Sequence, residues 1–176
     1  MSPPGPPVAS ASFRAAMGRW ATGVSVVTAH ADGEDAGLTV NALLSIALEP
    51  PTVLVSLQRE ADTLPVLRRG HGFAVSFLAS DQRELSRRFA ATVPSPQKFR
   101  GVGVHRGVTG AALLDGALAT LDCRLVSETA SFDHVLVVGE VVGLEEGRDV
   151  GPLLFYRGAY ADEEAPGRLR LGRRAP

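Results

Sequence analysis

The chain has a single cysteine, Cys123, in 176 residues, so it can close no internal disulfide and build no cysteine-cluster metal site. Lysine is almost missing too: of 18 basic residues only Lys98 is not arginine. With 19 acidic residues the formal net charge is -1 and the pI is near 6.4, which leaves no overall basic field for nucleic acid or an anionic membrane. No apolar run approaches the roughly 20 residues that cross a bilayer. The longest runs are strand-sized and broken by Ser, Thr, Gly and Pro. The opening Met1-Ser2-Pro3-Pro4-Gly5-Pro6-Pro7 has neither the charged nor the apolar region of a secretory signal, so the expectation is a cytoplasmic protein. No Walker loop, Gly-x-Ser-x-Gly elbow or His-Glu-x-x-His helix is found, and His30, His71, His105 and His134 are too scattered to nominate a metal site. The run Gly101-Val102-Gly103-Val104-His105-Arg106-Gly107 has one residue too many for the dinucleotide fingerprint. Hydrolytic, metal-dependent and Rossmann chemistries are thereby set aside.

What the chain does have is 45% hydrophobic residues, enough for one substantial core and a single domain. Four prolines in residues 1–9 predict a tail over 1–11, and the charged residues from Ala161 predict another over 161–176. Between them, Phe13, Ala16, Met17 and Trp20 form an i, i+3, i+4, i+7 stripe, which predicts a packing helix capped by Ser10 or Ser12 and stopped by Gly23. Val24–Thr28 then reads as a strand turning through Asp32-Gly33 into Ala36–Val40, a hairpin signal. After Pro50-Pro51 comes a strand over Thr52–Leu57, and Asp62-Thr63-Leu64-Pro65 opens a short helix that ends at Gly70. Phe73–Leu78 is another strand. It leads to a helix bearing Leu85, Arg87, Arg88 and Phe89, with Asp81 and Glu84 as a capping box. Thr92–Gly110 reads as a long irregular loop holding Lys98-Phe99. Ala119–Val126 alternates like a half-exposed strand, which makes Cys123 an inert core thiol. Val135–Val142 and Leu153–Tyr156 supply the last strands. Many short strands with two or three small helices predict an antiparallel barrel.

Gly37-Leu38-Thr39-Val40-Asn41-Ala42-Leu43-Leu44-Ser45 reads as strand, bend, strand. Thr39, Asn41 and Ser45 are small polar residues among apolar neighbours, which suits a wall that packs a planar ligand with polar edges. The same residues equally suit a plain β-bend, and on spacing alone the bend is sufficient.

Taken together, the motifs carry a resemblance. The succession Phe13-Arg14, Trp20-Ala21-Thr22-Gly23-Val24-Ser25-Val26-Val27-Thr28, Gly37 to Ser45, Pro50-Pro51-Thr52-Val53-Leu54-Val55-Ser56-Leu57, Thr63, Phe73-Ala74-Val75, Lys98-Phe99, Asp133-His134, Gly139-Glu140-Val141 and Tyr156-Arg157-Gly158-Ala159-Tyr160 resembles the short-chain flavin reductase family. These are the small reductase components of two-component flavin-dependent monooxygenases. The match runs in one order from about Phe13 to Tyr160, so the series is specific although each motif is weak alone.

The resemblance implies a mainly β, FMN-binding split barrel, a Greek-key antiparallel β-barrel with a few peripheral helices, spanning residues 12–160. It also implies a homodimer with flavin near the subunit interface. Such proteins bind FMN or FAD, take hydride from NADH or less often NADPH, and release reduced flavin to a separate monooxygenase. Carried over residue by residue, Thr39, Val40, Asn41, Ala42 and Ser45 line the flavin ring and ribityl chain. Ser56, Leu57 and Gln58 close the pocket. Thr63 meets a phosphate at a helix N-terminus, where free N–H groups and the helix dipole favour an anion. Lys98 and Phe99 cover the cofactor, with an ordinary loop lysine as the other reading of Lys98. His134 matches the family's Asp-His pair, where nicotinamide docks; its alternative is a satisfied strand-end histidine. Two positions depart from the family pattern: Ala61-Asp62 stand where many relatives have a hydroxyl, and Phe132 stands where a glycine usually precedes the Asp. Two other functions stay open at this point: a flavin carrier without turnover, and an enzyme that keeps its flavin and reduces another acceptor.

Overall fold

The computed structural model describes residues 7–161, so the start of the Pro-rich tail and nearly all of the charged C-terminal tail lie outside the described residues. The elements run α1 (Ser10–Met17), β1 (Thr22–Gly23), β2 (Ser25–Ala31), β3 (Glu34–Val40), β4 (Leu43–Leu48) and β5 (Pro51–Gln58). Next come α2 (Thr63–Gly70), β6 (Gly72–Phe77), a 3-10 turn at Ser80–Gln82, α3 (Arg83–Ala90) and α4 (Ser95–Lys98). The remainder is β7 (Val104–Arg106), β8 (Ala112–Leu114), β9 (Ala119–Ser131), β10 (His134–Glu146), β11 (Leu154–Tyr156) and β12 (Ala159–Tyr160). Two compact units result, Gly23–Leu153 and a smaller one made of the segments on either side.

In the larger unit β5 and β10 bury alternate residues on one face, whereas β2 and β6 are buried on both. β5 buries Val53, Val55 and Leu57, and β10 buries Val135, Val137 and Gly139, with the intervening residues less buried. Seven strands pair in the order β3-β2-β6-β9-β10-β5-β4, and every pairing is antiparallel. The β2–β3 hairpin turns at Asp32 and Gly33, both at positive φ (52° and 77°), the geometry that an Asp-Gly pair signals. α2 lays Leu64, Val66 and Leu67 on the same core as Val27, Val55, Phe73 and Val137. Gly139 keeps that core closed, because a Cβ there would lie 2.5 Å from the Phe73 ring.

The sheet's two edges, β3 and β4, are consecutive in the chain and joined only by Asn41 and Ala42. Laid flat, seven strands at about 4.8 Å spacing would hold those edges about 29 Å apart. A two-residue link reaches roughly 10 Å. The sheet must therefore curl until its edges approach, and the Ser56 N–H donates to Ala42 O at 3.1 Å just past the bend. The expected antiparallel, mainly β architecture is present, while the ladder itself is an open seven-strand series rather than a closed ring.

Several local expectations are corrected. α1 is closed by Gly18, whose N–H bonds Arg14 O at 2.9 Å, so Trp20 lies beyond the helix and no α1 residue is buried. Among the described residues the stripe does not make a packing helix in the smaller unit, which also holds the β11–β12 pair. α2 stops because His71 takes the left-handed conformation (φ 51°), whereas Gly70 is needed for close packing: a Cβ there would sit 2.2 Å from His30 O. Asp81 forms no capping box with Glu84; it pairs with Arg148 at 2.7 Å, and Gln82 Oε1 accepts the Ala79 N–H at 3.0 Å. The supposed irregular loop holds α4 and β7, which pairs with β8 just beyond it. Nearby, Thr120 and Asp122 on the outward face of β9 are buried, and Asp122 accepts the Thr109 N–H at 2.8 Å. Cys123 is a core thiol, its pKa pushed up to about 12 by burial and by the neighbouring Asp122 charge.

Two predictions follow from strained or charged positions. Phe132, 93% exposed, turns β9 into β10 at φ 53°, a conformation that costs a side chain about 1 kcal/mol and glycine almost nothing. Phe132→Gly is therefore expected to raise the unfolding free energy by up to about 1 kcal/mol, seen as a higher urea midpoint at unchanged m-value; a lower midpoint would contradict the strain. His105 lies between Asp115 (3.0 Å) and Glu145 (2.9 Å), whose carboxylates raise its pKa above the usual 6.5. A raised folded-state pKa stabilises fully below the unfolded value and is lost as pH rises through the folded value. The stability gap between wild type and His105→Gln should be fully present below the ordinary imidazole value of 6.5 and close as pH rises through the raised folded-state value. Urea titrations across that range check it.

Candidate functional site

Gly37, on edge strand β3, is where α3 and α4 converge. Its N–H donates to Ser95 Oγ at 3.2 Å and its carbonyl accepts from Lys98 Nζ at 3.1 Å, so α4 grips both polar groups of one residue. Both side chains are buried, Ser95 at 3% and Lys98 at 5% exposure. The rings of Phe89 and Phe99 meet edge to face at 5.0 Å over the same spot. A Cβ at Gly37 would stand 2.9 Å from Phe89 Cε1 and 3.2 Å from Phe99 Cζ, so the strand carries a glycine where aromatic side chains approach the backbone closely. Two residues on, Thr39 Oγ1 donates to Ser86 O at 2.7 Å and fastens α3.

The α4 contact continues to α2. Ser95 Oγ donates to Asp62 Oδ2 at 2.8 Å, while Asp62 Oδ1 lies 3.5 Å from Thr63 Oγ1. Asp62 occupies the N-cap position of α2, yet its side chain makes no cap hydrogen bond there. Thr63 itself is fully buried.

A second cluster forms where β4, β5 and β10 run side by side. The register sets His134 opposite Gln58 and Leu136 opposite Ser56, and Ser56 reaches back to Ala42 through its N–H. His134 Nδ1 lies 2.9 Å from Asp133 Oδ1, and that contact holds the Asp133 carboxyl below its usual range. Arg59 anchors the adjoining turn, its backbone N–H donating to Asp133 O at 2.9 Å and its guanidinium to Phe132 O. Phe132 takes the positive φ that a glycine would hold without strain, so the substitution keeps the turn.

The nominated residues therefore fall into groups with different exposures. Asn41, Ala42, Ser45 and Gln58 are exposed, and Thr39, Ser56, Phe99 and His134 are half-buried. Val40, Leu57, Thr63 and Lys98 are buried, so their side chains belong to the interior. Lys98 is not a solvated loop lysine. Ser45 pairs with Val53 along β4, further from the bend than Ala42. Ser95, Arg59 and Ser86 were not nominated. Serines and arginines in loops are common, and only Gly37 inside a strand signalled that something packs closely there. A cavity of about 550 Å³ between α3 and the 101–103 loop, lined by Arg87, Arg88 and Asp115 among others, contains none of the nominated residues. The assembled region offers backbone donors, small hydroxyls, an amide and an imidazole along an exposed rim. It holds no activated nucleophile.

Comparison with known proteins bears on the same residues. The family described as flavin reductase like domain matches residues 17–164. An NADH-dependent flavin reductase from Rhodococcus is 39% identical over 168 residues, covering 93% of this chain and 92% of its own. The reductase component of a 4-nitrophenol 4-monooxygenase/4-nitrocatechol 2-monooxygenase from Rhodococcus opacus is 38% identical, covering 88% and 81%. The solved NADH:FAD oxidoreductase SgcE6 of Streptomyces globisporus, in complex with NAD and FAD fragments, superposes with a TM-score of 0.80 at 31% identity over 86% of this chain and 91% of its own. With the bend, the Asp-His turn and the α2 start all inside the matched residues, this chain belongs to the flavin reductase like domain family.

Proposed function

We propose that this chain is a cytoplasmic NAD(P)H:flavin oxidoreductase that reduces FMN or FAD and releases the product to a separate flavin-dependent monooxygenase. The observation that carries the reading is the convergence of the bend Asn41–Ala42, the Ser56–Gln58 segment and His134 along one exposed rim. Relatives named as flavin reductases and as monooxygenase reductase components share nearly the whole chain. The curl forced by the two-residue seam supports a split barrel. Leu44, Ile46 and Leu48, exposed together on edge strand β4, support a homodimer that covers them.

The residues present suit a flavin. Asn41, Ala42 and Ser45 offer small polar groups and open backbone to a ring edge and a ribityl chain, and the N-terminus of α2 carries no side-chain cap that an anion would have to displace. Val40 and Leu57 serve through their peptide groups, since their side chains are buried. When bound, flavin supplies the redox chemistry by accepting hydride from a nicotinamide. The chain's own part is orientation. Gln58 and His134, paired across β5 and β10, would bind the nicotinamide amide, with the His134 ring oriented by its Nδ1 contact to the Asp133 carboxylate. Lys98 and Phe99 would help by holding β3, the strand that leads into the Asn41–Ala42 bend, in place.

The reading is tested by anaerobic stopped-flow absorbance at the flavin band, with NADH or NADPH and excess FMN, FAD or riboflavin. Many flavins bleached per protein are expected; binding without bleaching by either nicotinamide leaves a carrier, not a reductase. His134→Ala should lower NADH turnover by about tenfold or more while leaving flavin affinity within about twofold. Equal loss of both, or of neither, removes His134 from the role.

A further inference from the structure

The last rung of the β5–β10 ladder is Gln58 opposite His134, the two side chains read above as binding the nicotinamide amide. Beyond it β5 turns away, the Ala61 N–H donating to the Gln58 carbonyl at 3.0 Å, and a terminal rung frays unless something holds it. On the other side of His134 the β9–β10 ladder closes at Ser131, so Phe132 and Asp133 form a two-residue loop. Phe132 sits there at φ 53° and is 93% exposed. A side chain keeps that left-handed backbone only where its surroundings impose it. The Asp133–His134 contact does not impose it: its two side chains are 85% and 38% exposed, and a contact so open to water holds little by itself.

Arg59 reaches both loop residues. Its backbone N–H donates to Asp133 O at 2.9 Å, which extends the β5–β10 pairing by one rung, and its guanidinium donates to Phe132 O. One residue thus takes two consecutive carbonyls that the β9–β10 ladder leaves over. Arg59 is itself exposed, so its side chain fills no core.

From this geometry, and resting on the flavin reductase reading above, we infer that Arg59 is a positioning residue for hydride transfer: it pins the left-handed Phe132–Asp133 turn and so fixes the Gln58–His134 pair in the orientation that presents nicotinamide to flavin. It touches neither ligand. The backbone bond aligns the two strand ends, and the guanidinium sets the turn.

The test is anaerobic stopped-flow reduction of FMN by NADH on the full chain, read as the limiting rate at saturating NADH and the NADH concentration at half-saturation. FMN affinity is measured separately by quenching of flavin fluorescence. Arg59→Met keeps the backbone bond and an apolar stem and removes the guanidinium. It is expected to lower the limiting rate by about tenfold, a loss of orientation, while half-saturation stays within about threefold and FMN affinity within about twofold. Arg59→Lys retains one donor for the Phe132 carbonyl and should return the rate to within about threefold of wild type. In a His134→Ala background Arg59→Met should cost less than about threefold, because the group it positions is gone. A raised half-saturation at an unchanged limiting rate makes Arg59 a direct ligand of the dinucleotide and overturns the inference. So does an Arg59→Lys variant no faster than Arg59→Met, or an undiminished loss in the His134→Ala background. A wild-type chain that never bleaches FMN, or a His134→Ala variant with wild-type turnover, instead overturns the reading beneath it.

Discussion

The constraint on which the rest depends is the two-residue link between β3 and β4. These strands are the opposite edges of a seven-strand sheet, and Asn41 and Ala42 cannot reach across a flat one. Curling stores no obvious strain, because sheets twist anyway and β9 and β10 carry irregularities near Val138/Gly139 and Val141/Gly143 that let them bend. Small residues make the curl possible: Gly139 and Gly37 both stand where a Cβ would strike an aromatic ring. The seam then becomes the one place where the β3 edge, the β4 edge and the end of β5 meet. The linking residues Asn41 and Ala42 are exposed there.

Holding that rim steady falls to residues that do not belong to it. Gly37 is gripped at both its N–H and its carbonyl by α4, with two phenylalanine rings filling the space above it. A hydrogen bond to a charged donor such as Lys98 contributes about 1.5–3 kcal/mol. Burying an ammonium offsets much of that, so its value lies in fixing where the strand sits rather than in net stability. The same α4 reaches α2 through Ser95 and Asp62, so one four-residue helix couples the strand wall to the start of the neighbouring helix.

Much of this was legible beforehand, for identifiable reasons. The Asp32-Gly33 hairpin was, since only a primed turn fits that dipeptide between two strands, and so were β5, β6 and β10, whose apolar residues alternate or run on. The strand-bend-strand at Asn41–Ala42 was visible; that it joins opposite sheet edges was not, because strand order depends on long-range pairing that local pattern does not encode. α4 and β7–β8 hid behind prolines and glycines that read as loop. The alternative reading of Lys98, an ordinary loop lysine, rested on lysine being nearly always solvated. The partner of Lys98 is a carbonyl 61 residues earlier in sequence, which no spacing rule reaches. The helix stripe at Phe13 and Met17 shows the converse: correct periodicity does not ensure that anything covers it.

The division between buried and exposed site residues has a functional logic. Val40, Leu57, Thr63 and Lys98 are interior, while Asn41, Ala42, Ser45 and Gln58 are open to water. A protein that keeps its cofactor for life gains by enclosing it. One that must hand it on gains nothing from a long residence time, since dissociation then limits turnover. A rim built from peptide groups and small polar side chains on rigid strands gives each contact modest strength while fixing the ligand's position well. Hydride transfer depends steeply on distance and orientation and little on a protein base, so positional accuracy with weak retention is the useful combination. On that view the investment visible in this chain, a doubly held Gly37 and a carboxylate bonded to a buried serine, lies behind the rim because accuracy can be built there without adding affinity.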